Sequence, residues 1–109
     1  MSRITTHVLD TAPGKPAAGI AVRLDKQEDG GWLQISTGVT NSDGRCPDLA
    51  LDAKSGVYRM IFATGGYLER MGRTTLYPEI TITFTCDGDA HYHLPLLLSD
   101  HSYTTYRGS

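Results

Sequence analysis

Twelve glycines and five prolines cut the chain into short segments, and most of those segments are β-branched or alternate apolar with polar residues. That punctuation leaves little room for helices and predicts an all-β sandwich of roughly eight strands. Residues 4–10 alternate enough for a first strand, and the Pro13-Gly14 turn with Pro16 after it predicts a loop. The segment 20–26 puts Ile20, Val22 and Leu24 on one face, and Ala21, Arg23 and Asp25 on the other. Turn-forming residues 27–31 return it as a hairpin through 32–40.

Asn41-Ser42-Asp43-Gly44 predicts a further turn, because Asn and Asp bond their own backbone and Gly accepts positive φ. The stretch 47–55 is weakly patterned and suggests at most a short edge strand. Residues 56–64 set Val57, Arg59 and Ile61 against Tyr58, Met60 and Phe62, a strand with both faces partly covered. The glycine-rich stretch 65–72 holds Tyr67, Leu68 and Met71 at helical spacing, so one short helix is expected there. Residues 80–86 have period two with Ile80, Ile82, Phe84 and Cys86 inward, and the Asp87-Gly88-Asp89 turn predicts a hairpin with 91–97. Pro95 removes a ladder donor, which calls for an edge or bulge at that point, and a last short strand falls near 103–106.

At 109 residues a single domain over 1–109 is expected, with one modest core. The formal net charge of -2 argues against a nucleic-acid or anionic-membrane binder. The apolar run 94–98 falls far short of the ~20 residues a membrane helix needs. The N-terminus lacks a basic-then-apolar leader, so a cytoplasmic location is expected. Cys46 and Cys86 form no CxxC pair, and both are expected to pack as reduced thiols.

Residues able to carry chemistry are His7, Arg45, His91, His93, His101, Arg107 and Ser109. A histidine titrates near neutrality and can deprotonate water or protonate a leaving nitrogen. The plainer reading of a strand histidine is a surface or hydrogen-bonded side chain, and pattern alone does not displace it. His91 and His93 are two apart and share a strand face, a common way to supply neighbouring metal ligands. No third ligand stands at a recognisable spacing, so no metal is expected. Arg45 and Arg107 could pair with an anionic heterocycle or simply be solvated. Ser109 is terminal and sits in no nucleophile elbow, which makes it a hydrogen-bonding group rather than a nucleophile.

Several segments together resemble one family. Ile4-Thr5-Thr6-His7-Val8-Leu9-Asp10, Asn41-Ser42-Asp43-Gly44-Arg45, Tyr77-Pro78-Glu79-Ile80 and His91-Tyr92-His93-Leu94-Pro95 are similar to segments of the transthyretin-related 5-hydroxyisourate hydrolases. The terminal Tyr106-Arg107-Gly108-Ser109 is the most specific mark, and Asp100-His101-Ser102 departs from the Pro-Tyr-Gly more usual before that tail. The resemblance implies a transthyretin-like β-sandwich of two four-stranded antiparallel sheets with one short helix. It also implies a homotetramer, a dimer of dimers with active sites at the dimer–dimer interface. The implied reaction is cofactor-free hydrolysis of 5-hydroxyisourate, a product of urate oxidation. Catalytic positions would be His7, Arg45, His93 and Ser109, and His7, Arg45, Tyr106, Arg107 and Gly108 would bind substrate. Which histidine is the base stays open. A small-molecule carrier on the same sandwich is the alternative.

Overall fold

The computed structural model describes residues 1–108; Ser109 lies outside the described residues. In chain order the elements are β1 (Ser2–Asp10), β2 (Lys15–Pro16), β3 (Ala21–Glu28), β4 (Gly31–Val39), β5 (Arg45–Ala53), β6 (Gly56–Phe62), α1 (Thr64–Arg70), β7 (Ile80–Cys86), β8 (His91–Leu98) and β9 (Tyr103–Thr105). One sheet runs β4-β3-β6-β7. The other runs β2-β1-β8-β9, with β5 also paired to β1. β8 covers one side of β1 from Arg3 to Asp10, so β5 and β2 share its other side. The second sheet is therefore four strands wide but contains five.

The core lies between the sheets and follows the period-two pattern. Ile4 and Val8 of β1 and Leu96 and Leu98 of β8 face Val22, Leu24, Met60, Phe62 and Ile80 from the other sheet, all of them buried. Each such side chain contributes roughly 1.5–3 kcal/mol when fully withdrawn from water. Tyr58, Met60 and Phe62 point inward while Val57, Arg59 and Ile61 are half-buried, as the alternation predicts. Cys46 and Cys86 are free thiols and both are buried. In the β3–β4 hairpin Asp29 and Gly30 both have positive φ, 52° and 76°, as a two-residue turn of type I′ demands.

Four details differ from expectation. The Asp87-Gly88-Asp89 turn does not close a hairpin: β7 belongs to the four-stranded sheet, and β8 lies in the other sheet, parallel to β1. The chain crosses between sheets there, so its direction is not reversed within one sheet and that sheet is mixed. Residues 45–53 form a nine-residue strand despite weak patterning, because β5 is an edge strand whose pairing with β1 shifts register twice. Lys15 and Pro16, assigned to a loop, pair with Asp10 and Leu9. Met71 is exposed, because the helix ends at Arg70 before that side chain can turn inward. Pro95 sits where the ladder with β9 lapses after Leu96–Thr105 and resumes only as a His93–Gly108 bridge. Its carbonyl accepts from the Thr105 hydroxyl at 2.9 Å instead.

Candidate active site

The alternation that buries Ile4, Thr6 and Val8 turns Arg3, Thr5 and His7 to the outer face of the five-stranded sheet. β8 does the same with Leu94 inward and His91 and His93 outward. The parallel register sets His93 beside Thr5, and the antiparallel register of β5 sets Arg45 beside His7. Arg45 arrives there through the turn before it. Asn41 Oδ1 accepts from the Asp43 and Arg45 backbone N–H groups at 2.9 and 3.0 Å, and Gly44, at φ 74°, gives its carbonyl to the Val8 N–H at 2.7 Å. A Cβ on Gly44 would collide with the Val8 carbonyl oxygen, so only glycine lets the turn dock this closely on β1.

These side chains surround a cleft of about 240 Å³ lined by Arg3, Thr5, Thr6, Arg45, Pro47, His91 and His93, and the His7 ring lies 6.4 Å from that of His93. A roomier hollow of about 500 Å³ beside Pro13, Lys15 and Met71 has no histidine on its walls and less chemistry to offer. In the cleft Thr5 Oγ1 lies 2.8 Å from His91 Nε2 and 2.7 Å from His93 Nδ1. Burial, followed by the nearby Arg45, His91 and His7, pushes the pKa of His93 below 6.5. The His93 imidazole is thus neutral at pH 7 and able to accept a proton.

The tail folds back on β8. The Gly108 N–H donates to the His93 carbonyl at 2.7 Å, and a Cβ there would stand 2.7 Å from His93 Cδ2. Glycine lets the backbone lie against the ring. The Arg107 guanidinium stacks 4.4 Å over the Tyr92 ring, and Tyr92 alternates to the side of β8 opposite His91 and His93. Tyr106 is exposed, and His101 lies in the exposed loop before β9. Ser109 lies outside the described residues. The structure therefore brings together His7, Arg45, His93 and the Gly108 backbone, with Arg107 held apart over Tyr92.

Thr5 and Arg3 went unmarked by motif reasoning; their places two and four residues before His7, on the same strand face, were the available signal. Among the described residues no group of three His, Cys, Asp or Glu side chains has a geometry able to hold a metal ion.

Two sheets, one short helix, and paired imidazoles beside a guanidinium on an outer sheet face define a β-sandwich with a histidine- and arginine-lined cleft. The chain belongs to the HIUase/Transthyretin family, whose model matches residues 4–108. A 5-hydroxyisourate hydrolase of Mus musculus is 45% identical over 99% of this chain and 96% of its own length. One of Salmonella dublin is 46% identical over 97% and 80%. The solved Klebsiella pneumoniae 5-hydroxyisourate hydrolase covers all of both chains at 34% identity and a TM-score of 0.90. Sea bream transthyretin in complex with thyroxine matches at 35% identity and a TM-score of 0.93, over 97% of this chain and 94% of its own.

Proposed function

We propose that this chain hydrolyses 5-hydroxyisourate to 2-oxo-4-hydroxy-4-carboxy-5-ureidoimidazoline, by adding water to a ring amide carbonyl. One observation carries the reading: His7, Arg45 and His93 meet on one sheet face in a chain whose full-length relatives are named for that hydrolysis. His93 and His7 orient a water and take its proton, and the hydroxide adds to the carbonyl carbon. Arg45 holds the heterocycle and stabilises the oxyanion. As the tetrahedral adduct collapses, the ring C–N bond breaks and the nitrogen takes the proton back from the imidazolium. Tyr106 and the Gly108 backbone wall the substrate's edge, Arg107 anchors that wall through its stack on Tyr92 without touching substrate, and Ser109 adds a hydrogen bond to the reacting groups. The steps use water and side chains alone.

The alternative is a carrier, since in fold the likeness to a thyroxine-bound transthyretin, TM-score 0.93, matches that to the solved hydrolase, 0.90. Fold does not separate the two. Three convergent cationic or titratable groups favour the hydrolase, because an apolar hormone channel has no use for them. His7→Asn and His93→Asn are expected to lower turnover roughly 10²- to 10⁴-fold without changing the assembly's mass. Near-normal rates in both variants, or tight thyroxine binding by an inactive wild type, would sink the assignment.

A further inference from the structure

We propose that Thr5 and His91 are positioning residues for His93: the Thr5 hydroxyl links the two imidazoles, holds the His93 proton on Nδ1, and relays a proton between His93 and the solvent-exposed His91. This rests on the hydrolase reading, which makes His93 a base. Thr5 Oγ1 is within hydrogen-bonding reach of both rings, at 2.8 Å from His91 Nε2 and 2.7 Å from His93 Nδ1. Thr5 is almost fully buried in β1, directly beside His93 in the parallel register.

A hydroxyl has one proton, so it donates to one ring and accepts from the other. That couples the two tautomers. In the resting arrangement His93 Nδ1–H donates to Thr5, Thr5 O–H donates to His91 Nε2, and His93 Nε2 is bare. When Nε2 takes a proton from water, the Nδ1 proton passes to Thr5 as the Thr5 proton passes to His91. One proton has entered, no electrons have moved between centres, and the positive charge rests on His91. His93 now carries Nε2–H, ready for the leaving nitrogen, and reversal of the two transfers restores the start.

The charges around the cleft favour this relay. His93 is confronted by Arg45 across the cleft and His7 beside it, with Arg3 on the same face, and no carboxylate lines the cleft among the described residues. In a Ser-His-Asp arrangement a buried carboxylate fixes the tautomer and stabilises the imidazolium. Here the hydroxyl fixes the tautomer, and charge leaves toward the exposed His91, whose ring centroid lies 6.0 Å from that of His93.

The test compares wild type with Thr5→Val, Thr5→Ser and His91→Gln, measuring kcat and KM across pH and the ring ¹⁵N shifts of His93. Wild type should show His93 protonated on Nδ1. Thr5→Val should lose that preference and lower kcat on the order of 10- to 100-fold with KM little changed. Thr5→Ser should restore both. His91→Gln keeps an acceptor for the Thr5 proton but cannot take up charge, so the tautomer should persist while kcat falls and the acid limb of the pH profile moves. A His93 protonated on Nε2 at rest, or wild-type kcat and pH profile in Thr5→Val, overturns the relay. Should Thr5→Val not fold, wild-type behaviour of His91→Gln, altered only at an exposed site, overturns it equally. Wild-type inactivity with the tautomer still following Thr5 instead overturns the hydrolase reading, and the relay's catalytic use with it.

Discussion

His93 is gripped on two edges, with Thr5 at Nδ1 and the Gly108 backbone at Cδ2. Gly108→Ala would force the ring or the tail to move, and misplacing a base by about 1 Å can cost on the order of 10²-fold in rate. A large fall in kcat with little change in melting temperature is the expected outcome, checked by steady-state kinetics beside thermal unfolding. Burial, followed by Arg45 and the neighbouring His91 and His7, holds the His93 pKa below 6.5. The acid limb of kcat/KM should therefore fall below pH 6.5, and Arg45→Gln should raise the His93 pKa in an NMR titration. His7, Arg45 and His93 were legible in the sequence through their resemblance to a family pattern. Thr5 was not, because its bond to His93 exists only in the β1–β8 register.

Helix α1 ends in a way that serves a distant pair of strands. Gly72, at φ 69°, donates to the Glu69 carbonyl and Arg73 N–H to that of Leu68, a Schellman closure. Arg73 is thereby delivered to Asp10 at the end of β1 and to Asp100 in the loop after β8, each within 2.5 Å. Tyr67 donates to the same Asp10 at 2.9 Å, and burial with that carboxylate pushes its phenol up to about 12. Burial alone would raise the Asp10 pKa, but the hydrogen bonds from Arg73 and Tyr67 outweigh it and the net value lies below 3.8. Its contribution is present above pH 3.8 and is lost as pH falls through the lower folded value. Arg73→Met leaves a fully buried carboxylate without its cation and should cost about 3–5 kcal/mol in urea unfolding. Asp100→Asn, at a partly exposed position, should cost about 1 kcal/mol or less. None of this network was legible, since its members lie in four separate segments. The β3–β4 hairpin was, because its turn and alternation are local. The β7–β8 turn misled for the same reason: Asp-Gly-Asp marks a reversal but not which sheet receives the next strand.

The cleft lies on the outer face of a sheet, with Arg3, Arg45 and His91 exposed in the single chain. We propose that another copy in a homotetramer walls this face, leaving the cleft open to water at His91 while reducing the water around Arg45 and His93 and strengthening the charges there. Sedimentation should give about four times the 11.9 kDa chain mass. The sandwich class could be read from alternation and turns, but the cleft's place on an outer face depends on how the sheets pair. Deleting residues 106–109 should abolish hydrolysis more than folding, read by activity beside circular dichroism. The most direct measurement generates 5-hydroxyisourate from urate with urate oxidase and follows its ultraviolet decay with and without this protein. Decay accelerated in proportion to protein concentration is the predicted result; an unchanged spontaneous rate would contradict the account.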